Sequence, residues 1–164
     1  MTTLRCACGS VELDARGAPI VCAVCYCKDC QEGGRRIEAL PNARPVLDPH
    51  GGTELVLYRK DRVRCSRGED LLRAYKLDEK SITKRVVASC CNSAMYLGFE
   101  RGPHWLSLYR ARFAGKAPPL QMRVQTKSRP IGGELPSDVP GYPGLPLVLV
   151  GKLVAARIAM LFSR

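Results

Sequence analysis

Residues 22–30 read Cys22-Ala-Val-Cys25-Tyr-Cys27-Lys-Asp-Cys30, four cysteines in nine positions. Cys25-x-Cys27-x-x-Cys30 is a tight three-thiol set, and Cys22 stands three residues ahead of it. Such a stretch is either a closed zinc knot of four sulfurs or a three-sulfur site with an open position. Zinc takes four ligands in structural sites, and three protein ligands plus water or substrate in catalytic ones. The reading of the whole chain turns on that choice.

The other cysteines narrow it. Cys6-x-Cys8 is a pair, Cys90-Cys91 is another far along the chain, and Cys65 is isolated. The nine then divide into Cys6, Cys8, Cys90 and Cys91 for one metal and Cys25, Cys27 and Cys30 for a second, with Cys22 and Cys65 left over. Thiols grouped this densely point to zinc rather than to inert buried cysteines. Cys65 falls within an expected strand and reads as a buried apolar residue. One stereochemical condition applies to the Cys90-Cys91 pair. Adjacent side chains on a strand face opposite ways, so both can reach one ion only if the chain turns, which Asn92-Ser93 favours.

The 164 residues suggest one domain with an appendage, and a hydrophobic content of 46% supplies a core. Residues 1–20 lack a basic head and an apolar run. With the odd cysteine count, this argues for a reducing compartment, here taken as cytoplasmic, and against a disulfide framework. The formal charge of +11 favours an anionic partner. Nucleic acid is disfavoured, because aromatic residues are only 6% of the chain and do not alternate with the basic ones as a stacking platform would.

Short β-rich runs separated by turns predict a mainly β domain. Strands are expected at Val11–Leu13, 53–59, 62–65, 71–77, 84–89 and 95–99, with a turn at Gly68. Gly9 permits the turn that a metal knuckle needs. The run QEGGRR, 31–36, reads as a turn with two glycines, and Pro41 and Pro45 break residues 37–47. DPHGG, 48–52, is a further turn. The domain is set at 1–114, with an irregular Pro/Gly-rich arm at 115–146. LVLVGKLVAARIAMLF opens a C-terminal apolar/basic helix at 147–164. It is too short to span a bilayer. It suits burial on the sheet, a dimer interface or a place in a membrane interface.

The motifs CACGSVELDARGAP, from Cys6, and CYCKDCQ, from Cys25, resemble the glutathione-dependent formaldehyde-activating enzyme family, which includes centromere protein V. RVVASCCNSAM, from Arg85, is similar to its later CxxCGS segment. The resemblance covers residues 4–99. It implies antiparallel sheets around zinc, a β-tent. It also implies a structural zinc at Cys6 and Cys8, and a catalytic zinc at Cys25, Cys27 and Cys30 that acts on a glutathione–formaldehyde adduct as a carbon–sulfur lyase. Cys91 matches the last cysteine of CxxCGS, and Cys90 replaces the one expected at Ala88. Tyr26 stands where the family has His, and Gln31 where it has Arg. CYCxDCQ, the Gly51-Gly52-Thr53 turn and the CC pair are similar to an uncharacterised bacterial branch. The family pattern does not require Cys22, so the resemblance assigns that sulfur to the core.

Two functions follow. If the second zinc is open, it holds a small thiol such as glutathione as thiolate. Lys28, Arg35 and Arg36 could then attract an anionic thiol, and Asp29 and Glu32 are acid/base candidates. If Cys22 closes the site, both zincs are structural. The protein is then a noncatalytic module that meets an anionic partner or membrane surface. His50 and His104 are candidate fourth ligands, each with a structural role as the plainer reading.

Overall fold

The computed structural model describes residues 1–130 and 132–162, so residues 163 and 164 of the expected C-terminal helix lie outside it. The chain is mainly β, as its short β-rich runs require. A three-stranded antiparallel sheet, order β1-β2-β5, is built from β1 (Thr2–Arg5), β2 (Glu12–Ala15) and β5 (Val63–Arg67). A seven-stranded sheet holds β3 (Val21–Cys25), β4 (Thr53–Arg59), β6 (Leu72–Tyr75), β7 (Thr83–Ala88), β8 (Ser93–Phe99), β9 (Trp105–Tyr109) and β10 (Met122–Val124). Its order is β10-β3-β4-β9-β8-β7-β6, antiparallel except for the β10–β3 pair.

Period-two alternation sorts the large sheet's side chains into two layers. Cys22 pairs with Val56 and Ala23 with Leu55 across β3 and β4. Cys22, Val56 and Tyr58 point to the small sheet and pack with its Leu4 and Leu13. Val21 and Ala23 point the other way, toward Met122, Val124 and Leu149. The large sheet is therefore sandwiched between the small sheet and a layer containing both helices, α1 (Lys28–Glu38) and α2 (Leu147–Leu161).

Helix α1 corrects the expectation of a turn at 31–36. Gly33 and Gly34 are buried packing positions in this helix. A Cβ on Gly33 would strike the Arg85 side chain, and one on Gly34 would strike Leu47. The glycines let the helix lie close to β7 and to the following loop, at a cost in helix propensity that burial offsets. The expected strand at 53–59 is β4, and Gly68, with φ +72°, turns the chain between β5 and β6.

Residues 115–146 are largely irregular but carry β10, and residues 140–142 run parallel beside it. Arg123 N–H donates to Pro140 O and Tyr142 N–H to Arg123 O. The buried Arg123 guanidinium pairs with Asp138 at 2.7 Å. Helix α2 then crosses the open face of the large sheet. Leu149 is its buried residue, while Leu147, Val150, Val154, Ile158 and Leu161 are exposed. No described helix is long and apolar enough to cross a membrane.

Candidate metal centres and an adjoining cavity

The first thiol group forms where two turns meet. Cys6 follows directly on β1, and Gly9, at φ +79°, turns the chain toward β2. Val11 N–H donates to Cys6 Sγ at 3.3 Å and Gly9 N–H to Cys6 O at 3.0 Å, which fixes the knuckle. Between β7 and β8 the chain reverses through residues 89–92, with Asn92 at φ +51° and Cys91 N–H bonded to Ala88 O. That turn meets the stereochemical condition on Cys90 and Cys91, whose sulfurs point to the same place. Ser93 Oγ locks the two turns together by accepting from Ala7 N–H at 2.9 Å.

The sulfurs of Cys6, Cys8, Cys90 and Cys91 all lie within 4.8 Å of one another. Cys6 to Cys8 is 3.5 Å, Cys8 to Cys90 3.3 Å, Cys6 to Cys90 3.8 Å and Cys90 to Cys91 3.9 Å. A tetrahedral ion with metal–sulfur bonds near 2.3 Å sets its sulfurs about 3.8 Å apart. The four thiols fit such an ion and fill its coordination.

The second group sits at a strand-to-helix corner. Cys25 ends β3, Cys27 is the N-cap residue of α1, and Cys30 lies in the first helical turn. The N–H groups of Cys30 and Gln31 both donate to Cys27 O, which draws the corner tight. The three sulfurs lie within 4.8 Å of one another, with no fourth His, Cys, Asp or Glu in the group among the described residues. Hydrogen bonds from Cys25 and Cys30, joined by backbone N–H groups at the helix start, lower the Cys27 thiol to about 3. The hydrogen bond shared with Cys27 raises Cys25 to about 12. The Cys27 sulfur lies at the positive end of the helix, which favours a thiolate there. Three soft donors at a corner fit zinc with one position left free.

Cys22 is elsewhere. It lies three residues before Cys25 on one strand, so its side chain points to the opposite face. It is buried in the core between the sheets, where burial pushes its thiol up to about 11. Cys65 is half-buried rather than buried, with its Sγ 3.2 Å from Arg67 O. His50 and His104 join neither thiol group. Glu32 binds Arg35 at 2.9 Å and Arg36 at 2.8 Å on the exposed side of α1, so these three charges engage one another. Lys28 is exposed at the start of the same helix.

Tyr26 and Gln31 brace the corner from behind. The buried Tyr26 hydroxyl donates to Asp48 Oδ2 at 2.9 Å, and Asp48 Oδ1 accepts from the N–H groups of His50 and Gly52. A Cβ on Gly52 would strike the Tyr26 ring and Val24. CYC and the Gly51-Gly52 turn are thus two halves of one contact. Gln31 Nε2 donates to Tyr26 O and to Ser128 O, each at 2.6 Å.

A cavity of about 310 Å³, which the sequence did not reveal, opens beside the triad between the large sheet and α2. Cys25, Cys27 and Cys30 line one end. Leu57, Leu97, Phe99, Trp105, Leu149 and Leu153 form much of the rest. The polar residues along it include Asp29, Thr83, Ser107 and Arg85. Arg85 is 2% exposed, and its Nη2 donates to Asp29 O. Its Nη1 is buried without a hydrogen-bond partner.

Comparison with known proteins agrees with this architecture. Residues 1–38 match the profile of the family described as glutathione-dependent formaldehyde-activating enzyme, so the resemblance carried by the cysteine motifs holds over that segment. The fold is similar to that of a Rhodobacter sphaeroides protein solved as a structural-genomics target. That likeness has a TM-score of 0.52 at 18% identity and covers 85% of this chain and 98% of the other. No curated protein matches the sequence.

Proposed function

We propose that this protein is a zinc-dependent carbon–sulfur lyase related to the formaldehyde-activating enzymes, with a closed structural site and an open reactive one. Cys6, Cys8, Cys90 and Cys91 would hold the structural zinc. Cys25, Cys27 and Cys30 would hold the reactive one. The observation that carries the reading is the three-sulfur corner at the end of a cavity, with Cys22 turned into the core. Zinc bound there would stabilise a substrate thiol as its thiolate. The reaction class is the reversible addition of a thiol to formaldehyde, giving an S-hydroxymethyl thioether, which balances without an oxidant or reductant. In the cleavage direction the hydroxyl loses its proton, the carbon–sulfur bond breaks and the electron pair stays on sulfur. Asp29, in the first turn of α1 and on the cavity wall, is the nearby group for moving that proton.

The test measures zinc per chain and the exchange of formaldehyde with S-hydroxymethyl thiols by NMR. Two zinc ions and exchange faster than the spontaneous rate are expected, with Cys27→Ala returning exchange to background. No acceleration across several thiols would remove the enzymatic reading.

A second reading is favoured by α2, whose apolar residues Val150, Val154 and Ile158 are exposed on a strongly basic chain. In it, a noncatalytic module rests on an anionic membrane surface through this helix. Flotation with anionic vesicles that is lost in Ile158→Asp would support it, and no flotation of the unaltered chain would refute it.

A further inference from the structure

We propose that the cavity beside the Cys25-Cys27-Cys30 corner selects a thiol with an apolar body, alkyl or aryl, over a charged peptide thiol such as glutathione. The inference rests on the reading of that corner as a thiol-holding site and adds the class of thiol.

The walls carry the argument. Leu57, Leu97, Phe99, Trp105, Leu149 and Leu153 line the space into which the body of a bound thiol would extend. Glutathione would bring carboxylates and an ammonium group into this lining. Each would have to leave water and find a partner there. The charged side chains on the wall are Asp29 and Arg85. Of the basic residues of α1, Arg35 and Arg36 are held by Glu32 on the helix's exposed side, and Lys28, exposed at the helix start, does not line the cavity. An apolar body meets no such cost, and the space is at the small end of ligand pockets.

Arg85 is the buried cation of this wall. Its side chain is buried against Gly33, with Nη2 bound to the Asp29 carbonyl and Nη1 unpaired. On the same wall as the three cysteines, the guanidinium would offset the net negative charge of three thiolates around a zinc ion.

The chain contains a single tryptophan, and Trp105 lines the cavity, so its fluorescence reports occupancy. The full chain is titrated with hexanethiol, hexanol and glutathione. Hexanethiol should change the emission at the lowest concentration, hexanol should bind roughly tenfold more weakly, and glutathione should leave the signal unchanged. Leu153→Phe, which intrudes on the cavity from α2, should weaken hexanethiol by roughly tenfold. Hexanol binding as tightly as hexanethiol would keep the apolar selection and discard the thiol-holding reading of the corner. Glutathione binding as tightly as hexanethiol would overturn the proposal and keep that reading. Failure of both hexyl compounds would also overturn it.

Discussion

Gly33 shows how one absent side chain sets the site. It lets α1 sit directly on Arg85, which in turn reaches the first turn of the helix beside the thiols. In Gly33→Ala, the gain in helix propensity is about 1 kcal/mol. Overpacking against a buried side chain costs roughly 1–3 kcal/mol. The balance is unfavourable, so a lower denaturation midpoint with an unchanged m-value is expected in urea unfolding. Cys22 makes the opposite point. It is buried in the core and away from both thiol groups. Cys22→Ala should retain the zinc content of the unaltered chain and lose roughly 1 kcal/mol for one buried heavy atom. A loss of one equivalent of zinc would place its sulfur on the metal after all. The spacing of Cys25, Cys27 and Cys30 made their grouping legible in the sequence. Arg85 was not legible, because its importance depends on a glycine 52 positions away that reads as a turn residue.

At the scale of elements, legibility followed the strength of local patterning. The run at 53–59 has β-branched and aromatic residues, and its strand was evident. β3 was hidden because its cysteines draw attention as ligands, although Val21–Cys25 is a strand of five residues. α1 was hidden because two glycines in a row suggest a turn, and their packing partners Arg85 and Leu47 are distant in sequence. α2 was visible as an apolar run, but not its position over the cavity.

That position has a pH dependence. His104 is buried near the backbone of Leu153, and its Nε2 has no hydrogen-bond partner. Burial lowers its pKa below the ordinary 6.5; a hydrogen bond to the Leu153 backbone opposes this, and Arg157, Lys60 and Arg59 add to the lowering. A histidine whose folded pKa is depressed stabilises the fold above its unfolded pKa, and that stability is lost as pH falls through the folded value. The docking of α2 should therefore weaken below about pH 6.5. Amide hydrogen exchange, corrected for the intrinsic effect of pH, should show less protection in residues 149–157 at acid pH. His104→Gln should flatten this response. Equal acid sensitivity in that variant would assign the effect to another group.

For the whole molecule, the two thiol groups differ in what they would tie together. The four-thiol site joins the small sheet to the turn after β7, linking residues 84 positions apart in Cys6 and Cys90. A cross-link closing a loop of that length restricts the unfolded chain by on the order of 4 kcal/mol. The triad spans one corner and restricts little beyond it. Cys8→Ser should therefore lower the melting temperature far more than Cys27→Ser, measured by calorimetry at matched metal content of the remaining site. Equal losses would show that the corner also holds the fold.

The same difference in span has a kinetic consequence. Cys25, Cys27 and Cys30 are close enough along the chain to meet around an ion with hardly any loop to close, whereas Cys6 and Cys8 must wait for Cys90 and Cys91 to be brought back by the intervening strands. A chain folding in the presence of metal can therefore take up its first ion at the corner, before the sheets exist. Its second ion can be completed only once they do. The reactive centre would be the early event of assembly, and the structural staple the late one.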